Sequence, residues 1–153
     1  MSLMTSLNIS ASGMSAQRTR MDIIAQNVAN VSTTRTESGE AYRRQTVVFE
    51  ERSISNKNFE DYLTAQKTGL SYNSQIGSGV KISSIAEDHV TAMKKVYEPF
   101  NPDADEEGYV TYPNVNTVTE MTNLIDASRS YEANVTAFNA TKNMALKGLE
   151  LGK

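Results

Sequence analysis

The stretch TVTEMTNLIDASRSYEANVTAFNATKNMALKGL, residues 117–149, decides the fold. Met121, Leu124, Ser128, Tyr131, Val135, Phe138, Lys142, Ala145 and Leu149 recur at alternating steps of three and four residues. That is the seam of a helix that packs lengthwise on another helix. Ile125, Ala137 and Leu146 widen the stripe. Thr117 followed by Glu120 has the spacing of a capping box, and Pro113 stands upstream as a stop. At 1.5 Å per residue the helix spans roughly 50 Å. A Met or Phe on such a stripe is a packing residue, not part of a cofactor box.

A partner for this helix lies at the other end of the chain. Over residues 3–31, Leu3, Leu7, Ala11, Met14, Met21, Ile24, Ala25, Val28 and Val31 follow the same periodicity. Leu7, Met14, Met21 and Val28 keep strict seven-residue spacing, while Gln17 and Arg18 weaken the middle of the stripe. Gly13 costs about 1 kcal/mol relative to alanine in a helix interior. Between the helices the pattern changes. Gln45–Phe49, Val80–Ile85, Lys95–Tyr97 and Tyr109–Tyr112 are β-prone or alternating, and they predict a small hairpin-like β unit. Residues 53–79 form a polar stretch with Phe59, Tyr62 and Leu63 as its only apolar cluster, and predict a loop or partly helical insertion. The expected fold class is α+β: long N- and C-terminal helices paired like a coiled coil, around a β-rich middle. The expected divisions are 1–31, 32–115 and 116–153.

Composition narrows the function. The 153 residues contain no Cys and one His, so disulfides, thiolate metal sites, thiol nucleophiles and His-pair metal sites are excluded. Net charge is −3 without a basic block, which argues against nucleic acid as a partner. No run approaches 18 apolar residues, so no membrane-spanning helix is expected. Met1–Asn8 lacks the basic and apolar regions of a secretory signal peptide, which on its own reads as cytoplasmic. Ser, Thr and Asn together account for 44 residues, and the hydrophobic set is only 39%. The chain therefore has little with which to build its own core. Met4, Ile23, Met144 and Leu146 flank the two seams and would remain uncovered by a single partner helix. Other subunits are the natural cover, and termini that order on assembly are expected.

The candidate chemical sites are weak. Asp103-Ala-Asp105-Glu-Glu107-Gly108 matches the first half of a calcium loop, but Asn114 stands where a bidentate Glu is needed; an acidic solvated turn is the better reading. His89 reads as a surface or strand-end residue. Gly77-Ser78-Gly79 reads as a turn into the next strand, not a phosphate cradle. Arg43 and Arg44, after Tyr42, read as solvated in preference to an anion or partner site. Glu87 and Asp88 are adjacent and diverge in a strand. No nucleophile–base–orienter set can be assembled, so no catalytic, cofactor-binding or metal-binding residue is expected.

Ala11-Ser-Gly-Met-Ser-Ala-Gln-Arg-Thr-Arg-Met-Asp-Ile-Ile-Ala-Gln-Asn-Val-Ala-Asn30 resembles the N-terminal signature of the bacterial flagellar rod and hook family. Thr33–Thr36, Tyr42–Gln45, Gly79–Lys81, Lys95–Pro99, Gly108–Val110, Tyr112–Met121 and Ser130–Asn134 narrow the resemblance to its C-type proximal-rod members. Two places depart from that pattern. Gly39-Glu40-Ala41 replaces a usual Gly-Gly-Pro, and His89-Val90-Thr91-Ala92 replaces an expected Ser-Pro.

The resemblance implies a structural subunit of the basal-body proximal rod that spans the periplasm. It implies export through the flagellar type III channel without a cleaved signal, which overturns the cytoplasmic reading. Implied partners are copies of the chain, other rod proteins, the export apparatus and basal-body ring components. On this reading Leu7, Met14, Met21, Ile24, Val28, Met121, Leu124, Tyr131, Val135, Phe138 and Leu149 form the assembly interface. The alternative is a soluble coiled-coil interaction module.

Overall fold

The computed structural model describes residues 3–52 and 79–150; the 53–78 part of the polar stretch, including Gly77 and Ser78, lies outside them. In chain order the elements are α1 (Leu3–Ala29), β1 (Gln45–Glu51), β2 (Val80–Glu87), β3 (Lys94–Tyr97), β4 (Tyr109–Tyr112) and α2 (Thr117–Glu150). The class is α+β, as the sequence pattern predicts.

The two helices run antiparallel. Asn27 of α1 bonds Glu120 of α2 at 3.1 Å, and Gly13 sits against Asn134. Moving fourteen residues back along α1 thus moves fourteen forward along α2. By the same count Leu3 lies level with Met144, and the last turns of α2 run past the start of α1. A β-carbon on Gly13 would stand 2.8 Å from Asn134 Oδ1. Glycine is tolerated mid-helix because the helices meet closely there.

Beside that close approach, burial on α2 extends one position to the N-terminal side of the expected seam. Leu124, Tyr131, Phe138 and Ala145 stay turned toward α1 and are half-buried. Glu120 and Ala127 are buried and Asn134 and Thr141 half-buried; of the expected line, Ser128 and Val135 are half-buried and Met121 and Lys142 exposed. On α1 the buried line is Ser10, Ala16, Ile23, Ile24 and Asn27. Small or short polar side chains, Ser10, Ala16, Asn27 and Ala127, are thus buried alongside the larger Ile23 and Ile24.

The capping box is also displaced by one residue. Asn116, not Thr117, caps α2: its Oδ1 accepts the N–H groups of Val118 (3.0 Å) and Thr119 (3.3 Å). Glu120 is then one residue too late to reach back to the cap, and its side chain turns inward, where it is 1% exposed.

The four strands form two separate antiparallel hairpin sheets, β1–β2 and β3–β4, instead of one unit. A turn divides them: Asp88 Oδ1 accepts the amides of Val90 and Thr91, and Asn114 Nδ2 donates to the carbonyls of Asp88 (3.0 Å) and Thr91 (3.2 Å). The β1–β2 pair carries a bulge between Val48 and Phe49. It lies along α1, with Gln45 against Asn27 at one end and Val80 against Ser12 at the other. Gly79 makes that second contact possible. Its φ is +113°, and any β-carbon there would overlap Ser12 Oγ. The β3–β4 hairpin projects from the base of the helix pair, where β4 leads directly into α2.

Candidate assembly interface

The base of the molecule is held by a buried polar cluster. Asn27, fully buried, donates from Nδ2 to the Gln45 carbonyl (2.8 Å) and to Glu120 Oε2 (3.1 Å). Its Oδ1 accepts from the Tyr42 hydroxyl and the Gln45 amide, both at 2.9 Å. Glu120 Oε1 takes a paired contact from Arg44, Nε at 2.9 Å and the terminal nitrogen at 2.8 Å. Arg44's own amide donates to Asn114 Oδ1 (2.9 Å), and its guanidinium also faces Asp88 at 3.9 Å. Burial pushes the Tyr42 phenol above its ordinary pKa, and the carboxylates of Glu87 and Glu120 add to the rise. The hydroxyl therefore stays protonated and keeps donating to Asn27.

This cluster joins the end of α1, the start of β1, the end of β2 and the start of α2. It corrects the reading of Arg44 as a solvated residue, because its partner Glu120 is withdrawn from water. Arg43 does stay near the surface, with its guanidinium 3.1 Å from His89 Nδ1. His89 lies outside at the strand end, 3.7 Å from Glu87. The acidic segment is built into turns. Asp103 accepts from Thr34 (2.7 Å), and Asp105 Oδ1 accepts the amides of Glu107 (3.0 Å) and Tyr109 (2.8 Å).

The seam residues are divided by exposure. Ile24 is buried at 5%. Leu7, Met14, Met21, Val28, Leu124, Tyr131, Val135 and Phe138 are half-buried. Met121 is 55% exposed and Leu149 72%. Val118, Ile125, Met144 and Leu146 are exposed as well, so α2 carries apolar surface along its outer flank. Among the described residues the buried hydrophobic set is small: Ala16, Ile23, Ile24, Tyr42, Val110 and Ala127. Burial is concentrated at the base and thins toward the far end, where Leu3 is 42% and Met4 68% exposed. Beside the base cluster, an open cavity of about 340 Å³ lies between α1, β1 and α2, with Ile23, Ile24, Val47 and Phe49 on its walls. No helix of the described residues is long and apolar enough to cross a membrane.

These features define a class: an elongated helix-pair subunit, pinned at one end and apolar along its flanks. The family profile described as "Flagella basal body rod protein" matches residues 7–35, and the one described as "Flagellar basal body rod FlgEFG protein C-terminal" matches residues 106–151. Three relatives carry the name flagellar basal-body rod protein FlgC. The Bacillus subtilis protein is 47% identical over 152 residues, covering 97% of each chain. The Borreliella burgdorferi protein is 41% identical over 160 residues, covering 99% of this chain and 98% of the relative. The Salmonella typhimurium protein is 39% identical over the full length of both. The chain belongs to the FlgC family of flagellar basal-body rod proteins.

Asn27, Arg44 and Glu120 are the structural residues that sequence reasoning missed as a group. The one available signal was Tyr42-Arg43-Arg44 itself: a cation beside an aromatic residue at a strand start, in a chain with few apolar residues.

Proposed function

We propose that the chain polymerises through its two terminal helices as a subunit of the proximal rod, and that the resulting axial tube spans the periplasm and transmits torque. The observation that carries this reading is the half-covered seam. One helix pair covers only part of each stripe: Met121 and Leu149 are exposed and Val135 is half-buried, which leaves surface of all three for a neighbour. Burying a large apolar side chain contributes about 1.5–3 kcal/mol, so repeated modest contacts suffice for a stiff shaft. Contact between unlike faces extends without closing, as a filament segment requires.

On this reading the terminal segments 1–31 and 116–153 serve assembly, and residues 32–115 dock against adjoining rod proteins. The partners are copies of the chain, other rod proteins, the export apparatus and ring components. The chain leaves the cell through the flagellar export channel without a cleaved signal. Its role is mechanical and not catalytic. Val135→Asp or Phe138→Asp tests the reading in a strain lacking the native protein. Loss of rod assembly and swimming, with export retained, is expected. A variant that assembles and swims normally refutes the seam assignment.

A further inference from the structure

The two ends of the molecule differ in charge, and both expose large side chains. At the base, the loop of the β3–β4 hairpin, residues 98–108, holds Glu98, Asp103, Asp105, Glu106 and Glu107 and no Lys or Arg. Glu106 and Glu107 are exposed and make no ion pair among the described residues. Beside them Phe100 is fully exposed and Tyr97 is 63% exposed. Tyr97 packs edge-on against Tyr109, with ring centroids 5.3 Å apart. At the far end, roughly 36 Å away along the twenty-four residues from Asn27 to Leu3, α2 exposes Met144, Leu146 and Leu149. Lys142 and Lys147 are exposed there and likewise make no ion pair among the described residues. The helix pair is antiparallel, so the dipoles of α1 and α2 oppose each other at this end, and Lys142 and Lys147 outnumber Glu150 of the last turn of α2. No acidic residue lies in the first turn of α1 to offset them.

We propose that the acidic aromatic tip of the β3–β4 hairpin docks on the far end of the helix pair of a second copy of this chain, in a head-to-tail contact. This rests on the assembly reading above and specifies one of its contacts. The two surfaces lie at opposite ends of one subunit, so they cannot meet within it. Their charges are complementary, and each offers apolar surface that the other can cover. The contact is heterologous and leaves a free tip and a free tail after every addition.

The absence of cysteine makes the test direct. Full-length Glu106→Cys and Lys147→Cys chains are mixed and oxidised, with Glu106→Cys plus Ser84→Cys as the control pair; Ser84 is exposed on β2. Excess heterodimer from the first pair is expected, and equal yields overturn the contact. In cells, Glu106→Lys/Glu107→Lys reduces swimming, and adding Lys142→Glu/Lys147→Glu to the same chain restores it. If the combined charge swap swims no better than the first, the partner at this tip is not a second copy and the proposal fails. The Val135→Asp result reports separately on the rod reading. A cross-link that forms alongside normal swimming of Val135→Asp leaves the end contact standing and removes the seam.

Discussion

Replacing Glu120 with alanine strikes the point where four elements meet. The carboxylate accepts four hydrogen bonds: two from Arg44 and one each from Asn27 and Asn123. Removing one partner of a buried ion pair typically costs about 3–5 kcal/mol, because the other charge is left without compensation. Here the Arg44 side chain is 26% exposed and keeps Asp88 at 3.9 Å. Water and Asp88 recover part of the loss, so about 2–3 kcal/mol is expected. With a urea slope of about 1.5–2 kcal/mol per molar, the unfolding midpoint of the full-length chain falls by about 1–2 M. Circular dichroism at 222 nm follows it. The double variant Arg44→Met/Glu120→Leu should be less destabilised than the two single changes summed, with a coupling of about 1 kcal/mol or more. A Glu120→Ala midpoint unchanged from the parent, with no coupling to Arg44, would refute the buried-cluster account.

Three other perturbations follow from local geometry. Gly79→Ala places a β-carbon on Ser12 at a φ of +113° and should destabilise the β1–β2 docking by about 1–3 kcal/mol, read as lost amide protection in β2 by hydrogen exchange. Asn116→Ala removes the cap of α2 and should lower stability by about 1 kcal/mol in the same urea titration. The third concerns pH. Hydrogen bonds from Thr91, first from its amide and then its hydroxyl, hold the Asp88 carboxyl below the ordinary aspartate value, helped by the Val90 amide and Arg44. A lowered folded value means this contribution is present above the ordinary aspartate pKa and is lost as pH falls through the folded one. The Val90 and Thr91 amide resonances should therefore keep their positions through the ordinary aspartate range and shift only below it. A shift centred on the ordinary value would show that the turn does not hold the carboxylate.

The helices were legible because large apolar residues mark a helix flank at regular spacing. Both were found to within two residues at their ends. The burial of Ala127 and the close approach at Gly13 were not legible, because Gly13, Ala16 and Ala127 carry almost no hydrophobic signal, although small size lets helices approach. The polar base was hidden for a related reason. Asn27, Arg44 and Glu120 belong to residue types that normally face water, and only the fold brings them together from positions 93 residues apart at the widest. The capping error came from the same place, since a Glu at the right spacing from Thr117 was already committed to Arg44. The strands were recognised by alternation and β-prone composition, but their division into two sheets falls at the Asp88–Thr91 turn, which Asn114 bridges from across the chain.

Order is graded along the helix pair. The base is pinned by buried hydrogen bonds and ion pairing, while the far end exposes Met4, Met144 and Leu149. In the free chain, amides of the first turns of α1 and the last turns of α2 should exchange fastest, and those near Ile24 and Ala127 slowest.

The central claim is that apolar surface left open on one chain is covered by its neighbours. Single cysteines at Met121 and Leu149, introduced separately into the cysteine-free chain, test it by maleimide labelling of the free protein and of isolated basal bodies. Rapid labelling of the free chain and strong protection in the assembled rod are predicted. Equal labelling in both states would contradict the claim.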